Sequence, residues 1–131
     1  ASLQRRLGVP VHVHEADTGN LGDLQKATLH LHGDAGATVS VEDLQWRAVP
    51  TPGHTAGSTT WVFPSGLTGA AFCGDTMFAA SAGNGRSSYA RHLISLRQGI
   101  GTLPSATVLY PGHGPATSVA AEQRHNPFLL D

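Results

Sequence analysis

The sequence predicts a single domain of mixed α/β (α+β) class. Two pairs of β-prone runs have hairpin spacing, three other stretches carry helical signals, and short apolar runs end at a glycine in three places. At 131 residues the chain is long enough for one hydrophobic core, burying roughly two-thirds of its unfolded surface. No repeat, low-complexity tract or interdomain linker interrupts it, so residues 1–131 are expected to be one continuous body.

The elements follow in order. Residues 2–7 are expected to end a helix stopped by Gly8 and Pro10, and "VPVHVHE" to follow as a short strand. "ATVSV" and "LQWRAVP" form a hairpin across Glu42-Asp43, and "TTWVFP" and "GAAFCGD" a second one turning at Ser65-Gly66. Residues 88–99 put Ala90, Leu93, Ile94 and Leu96 or Arg97 on one helical stripe that Gly99 closes. "ATVLYP" is the next strand. The last helix, "TSVAAEQRH", starts from Thr117 or Ser118 as N-cap and stops before Asn126-Pro127.

Composition removes several function classes. A net charge near zero and a single lysine, Lys26, give no electrostatic footprint for nucleic acid. No apolar run approaches the ~20 residues that span a bilayer, and "ASLQRRLGVP" has no signal-peptide core, so no membrane partner is expected. The single cysteine, Cys73, excludes an internal disulfide framework and fits a reducing cytoplasm. Nothing in the sequence sets an oligomeric state.

The chemistry lies in a repeated local pattern. His54 follows Gly53 in "TPGHTAGS", Asp75 follows Gly74 in "AAFCGD", and His113 follows Gly112 in "TVLYPGH". A histidine in a Gly/Pro loop is ordinarily just solvated. Three β-prone runs that each end in glycine and then a donor are a different matter. Glycine lets the backbone turn sharply or approach closely, so that each side chain is aimed from a strand tip toward a shared point. Two neutral imidazoles and a carboxylate suit zinc, or iron with similar ligands.

Two other histidine pairs compete. His12 and His14 share one strand face, as do His30 and His32. Neither pair has a third ligand at a helpful spacing, and both are read as polar decoration of half-buried strands. Cys73, two residues before Asp75, is read as a small buried thiol.

"TPGHTAGS", "FCGDTMF" and "LPSATVLYPGHGPAT", followed by "EQRHNPFL", resemble the second half of a metallo-β-lactamase-fold hydrolase of the glyoxalase II-like (hydroxyacylglutathione hydrolase-like) branch. The motifs occur in that family's order and span nearly the whole chain. The resemblance implies a four-layer αββα sandwich with a metal site along one edge. It matches His54 to the third histidine of the first metal site, Asp75 to the aspartate bridging two metals, and His113 to the histidine of the second site. It further implies two zinc ions per complete domain, with iron or manganese as alternatives, and hydrolysis of a small thioester or related ester by a metal-bound hydroxide.

The chain also departs from the family. The His-x-His-x-Asp-His segment that supplies the remaining ligands is absent, since "HVHEAD" offers Glu15, Ala16 and Asp17 after its two histidines. Residues 1–131 are therefore expected to be the C-terminal portion of a domain whose N-terminal part completes the active site. Gly114 and Pro115 stand where glyoxalase II proper carries a tyrosine that holds glutathione, which favours a smaller substrate. Arg86, in a segment loosely similar to the family's Gly-Arg loop, is a candidate contact for an anionic substrate, set against an ordinary solvated arginine. Two rivals share the motifs: a persulfide dioxygenase-like oxidoreductase with one iron, and a catalytically incomplete fragment with a binding role.

Overall fold

The computed structural model of the chain describes residues 2–22, 29–41, 43–63 and 69–130. Helix α1 (Ser2–Leu7) ends at Gly8 as expected, and strand β1 (Val11–His14) follows. It pairs in parallel with β2 (Leu29–His32), a partner 18 positions downstream that local sequence does not reveal. A 3-10 stretch, Glu15–Asn20, leaves the end of β1.

Among the described residues the main sheet has six strands. Both expected hairpins are present: β3 (Ala37–Val41) with β4 (Leu44–Pro50), and β5 (Thr59–Phe63) with β6 (Ala70–Gly74). The Ser65-Gly66 turn and Glu42 lie outside the described residues. A two-stranded excursion, β7 (Met77–Phe78) with β8 (Ser81–Ala82), precedes α2 (Tyr89–Ile94). Strand β9 (Val108–Pro111) then enters the sheet parallel to β6, and β10 (Thr117–Ser118) closes its edge, giving the order β10-β9-β6-β5-β4-β3. Helix α3 (Val119–His125) starts from Ser118, whose hydroxyl accepts from Ala121 N, and runs to Asn126.

Strand alternation divides the sheet's two faces. Val62, Ala71, Cys73 and Leu109 point to the helical side, where they join Met77, Leu96, Ile100, Leu103 and Val119 in the core. Trp61, Phe63, Phe72 and Tyr110 take the opposite face. There Trp61 receives the edges of His12 and His32, so the β1–β2 ribbon lies across the sheet from the helices. Cys73 is buried, its thiol pushed up to about 11 chiefly by burial, and it donates weakly to the Met77 and Tyr110 carbonyls.

One expected pattern is corrected. The stripe through Ala90, Leu93, Ile94 and Leu96 or Arg97 matches the buried face at Leu93 and Leu96, which pack into the core, but not at Ala90, Arg97 or Ile94, the last 54% exposed, while His92, Ser95 and Ile100 are buried beside it. The helix widens into a π turn at Ser95–Gly99, which re-phases the residues after it. Its docking contacts account for the choice of face. Ser95 Oγ donates to Pro52 O at 2.7 Å, and His92 packs beneath Gly53.

The four strand histidines form a ladder, His12 beside His30 at 4.7 Å between ring centroids and His14 beside His32 at 5.3 Å. His14 accepts from Ala16 N and faces Asp34 at 3.2 Å. Burial is the main cause that holds His12, His32 and His92 below the ordinary imidazole value of 6.5, and the neighbouring rings His30 and His14 reinforce it for His12 and His32. Neither ring nitrogen of His32 has a partner in hydrogen-bond geometry, so the Gly33 backbone and Glu15 offset this only in part.

Groups depressed in the folded state take up protons more readily when unfolded. The stability they contribute is therefore present above pH 6.5 and is lost as pH falls below it. Denaturant unfolding from pH 7.5 to about 5.5, still above the carboxylate range, is expected to show falling stability, with a shallower slope in His32→Gln. A flat profile would contradict the assignment of these rings as neutral.

Candidate metal centre

Strand direction brings the expected donors to one edge. β4 and β6 both run against β5, and β9 runs with β6, so the C-terminal ends of β4, β6 and β9 lie on the same side of the sheet. His54 follows β4 in the loop 51–58, Asp75 follows β6 directly, and His113 follows β9. Their side chains meet: Asp75 Oδ2 is 3.6 Å from His54 Nε2, and Asp75 Oδ1 is 2.9 Å from His113 Nδ1.

The loops are held from several sides. Gly53 has φ +141, and a Cβ there would overlap the His92 backbone, so only glycine permits this path. Ser87 N and Ser88 N both donate to Gly53 O, tying the His54 loop to the segment after β8. Asp17, expected only to fail as a ligand, braces the same loop by accepting from Gly57 N at 3.0 Å and from the Thr55 hydroxyl. Gly112 N donates to Gly74 O, and a Cβ on Gly112 would overlap the Asp75 carboxylate oxygen.

The imidazoles are oriented as well. A backbone carbonyl can only accept, so the 2.9 Å contact between His54 Nδ1 and Asn84 O fixes the hydrogen on Nδ1. Nε2 of His54 is left facing Asp75. Anchoring one ring nitrogen on a carbonyl while the other binds is the usual arrangement of metal-ligating histidines. His113 directs Nδ1–H at Asp75, with the edge of Phe78 against its ring at 5.9 Å. Its side chain is 76% exposed against 18% for His54.

The donor set fits a metal ion in kind. Two imidazoles and a carboxylate converge, and glycine keeps the space beside the carboxylate open. In their present geometry the histidines engage the carboxylate itself, and among the described residues no three His, Cys, Asp or Glu side chains are set around a common vacant point. The nearby cavity of about 330 Å³, lined by Pro52, Arg91, Ile94 and Ser95, does not include the donors. Arg86 is exposed in the loop that contains Asn84. The role of Asn84 had no signal in the sequence, because its contribution is a carbonyl that any residue has.

Fold and edge site together define a class. The chain has the metallo-β-lactamase fold: it superimposes on the BLEG-1 B3 metallo-β-lactamase with a TM-score of 0.84 at 26% identity, over 99% of this chain and 69% of that one. A second structure, TTHA1623 in a di-iron-bound form, matches with a TM-score of 0.74 at 27% identity, over 98% and 69% of the two chains. In sequence, a probable metallo-hydrolase of Streptococcus pyogenes is 34% identical over 88 residues, 65% of this chain and 37% of that protein. A hydroxyacylglutathione hydrolase of Rhodospirillum rubrum is 29% identical over 118 residues, 78% and 45% of the two. The matched stretches thus span less than half of these two relatives. No protein-family model matches the chain.

Gly112→Ala tests the packing of the site. The added methyl is expected to push the Asp75 carboxylate away and break its contact with His113, which a crystal structure of the variant would reveal, with little change in thermal stability. An unmoved carboxylate would show that the glycine has no part in shaping the centre.

Proposed function

We propose that the chain contributes His54, Asp75 and His113 to the metal centre of a glyoxalase II-like hydrolase acting on a small thioester. The observation that carries this reading is the orientation of His54, whose Nδ1 is anchored on Asn84 O while Nε2 faces a carboxylate shared with His113. The sequence likeness to a hydroxyacylglutathione hydrolase supports the thioester as substrate class. Gly114 and Pro115 after His113 favour a substrate that does not need glutathione to be gripped at that point.

His54 and His113 would each offer one imidazole nitrogen, and Asp75 its two oxygens, to zinc, with iron or manganese as the other candidates. Bound there, the metal supplies a Lewis acid for the thioester carbonyl and a nucleophile at neutral pH. Asp75 takes the shared position between the two histidines and orients whatever occupies it. Arg86, exposed beside the site, is the candidate contact for an anionic group of the substrate. The remaining ligands would come from outside residues 1–131.

The test is Asp75→Asn in a protein carrying the whole domain. Loss of several kcal/mol of charge stabilisation corresponds to a fall in acyl-thioester turnover of at least ~100-fold. Bound metal, measured by elemental analysis, is expected to drop below that of the parent. Unchanged turnover and metal content would refute the assignment. Oxygen uptake with a persulfide, with one iron per chain and no thioester hydrolysis, would replace it by the oxidoreductase reading.

A further inference from the structure

Thr51, Thr60 and Thr76 are 0%, 0% and 1% exposed, and their hydroxyls meet inside the protein. Thr51 Oγ1 lies 3.1 Å from Thr60 Oγ1 and 3.3 Å from Thr76 Oγ1. Thr51 opens the loop that carries His54, Thr76 is the residue after Asp75, and Thr60 belongs to β5, the strand between β4 and β6. The Thr51–Thr76 contact therefore joins one ligand-bearing loop directly to the other, and the Thr51–Thr60 contact ties Thr51 to the sheet.

Hydrophobic burial does not account for this choice of residue. Valine has nearly the same shape, and replacing mutually bonded buried hydroxyls by apolar groups is close to neutral for stability. What valine lacks is direction. A hydroxyl contact fixes the distance and angle between the groups it joins, whereas apolar packing tolerates sliding. Other contacts already secure each loop separately: Thr51 N donates to Ser58 O, and Thr76 N to Cys73 O. The threonine contacts add a constraint between the loops.

We infer that Thr51, Thr60 and Thr76 form a buried strut of positioning residues that sets the separation of His54 and Asp75. The metal relevance of this strut rests on the function proposed above, but its geometric effect does not. With Thr51 and Thr76 held together, His54 Nε2 stays 3.6 Å from Asp75 Oδ2, and an ion entering between them meets donors already gathered.

In a protein carrying the whole domain, the experiment compares the unaltered sequence with the triple variant Thr51→Val, Thr60→Val, Thr76→Val, which leaves no orphaned hydroxyl, and with Thr51→Ser, which keeps the central one. Two readouts are taken: the crystal structure without metal, and zinc affinity by competition with a chelator. In the triple variant the His54–Asp75 separation is expected to open beyond the ~4 Å limit of an ion pair, and zinc affinity to fall roughly 10–100-fold, the range for groups that orient metal ligands. Thr51→Ser is expected to keep both. A triple variant with unchanged separation would overturn the strut. If that variant does not fold, Thr76→Val alone, which cuts only the contact between the loops, is judged by the same separation. Should the unaltered whole-domain protein bind no zinc, the metal reading fails, while the crystal structures still decide the strut.

Discussion

Strand direction is the constraint on which the rest of the molecule depends. Because β5 runs against both of its neighbours and β9 runs with β6, three C-terminal ends are delivered to one edge without any side chain having to reach across the sheet. The hydrophobic core enforces this order. Val62, Ala71 and Leu109, on three adjacent strands, are buried against Leu96, Ile100 and Val119, and a one-residue slip in any strand would turn its apolar residues to the wrong face. The three candidate donors are therefore placed by the same register that builds the core.

Register alone gives position only to within a loop's freedom, and polar contacts remove the remainder. The loop bearing His54 is gripped by Asp17 from the β1 side, by Ser95 and His92 from the helical side, and by Ser87 and Ser88 from the segment after β8. Glu122 does comparable work at the turn between β7 and β8. Although 3% exposed, it accepts from Ala80 N, the Thr117 hydroxyl and the Asn126 amide, so a buried carboxylate is satisfied while it fixes the turn after β7. The most exposed of the three candidate donors is His113, whose ring contacts the Asp75 carboxylate and the edge of Phe78.

Much of this was legible in the sequence, for identifiable reasons. The hairpins follow from alternation and turn residues, and the three donors from a glycine-then-donor pattern at strand ends. The family likeness made the fold concrete. What stayed hidden depends on contacts distant in sequence or on the backbone. The parallel pairing of β1 with β2 joins His12 to His30, 18 residues apart, and no local pattern specifies it. The π turn at Ser95–Gly99 follows α2 directly, and no residue type in that stretch announces it. Asp17 was visible as an acidic residue, but its acceptor role for Gly57 and Thr55 spans 40 and 38 positions. Asn84 acts through a carbonyl, and the threonine strut through hydroxyls that read in sequence as ordinary β-strand and loop residues.

The central claim is that His54, Asp75 and His113 are ligands to one metal centre. A crystal structure of the zinc-loaded protein, with anomalous scattering measured at the zinc edge, tests it most directly. The account predicts an anomalous peak at about 2.0–2.2 Å from a donor atom of each of these residues, or two peaks about 3.5–4 Å apart with Asp75 between them. A peak on the His12–His30 or His14–His32 ladder, with none at Asp75, would contradict it.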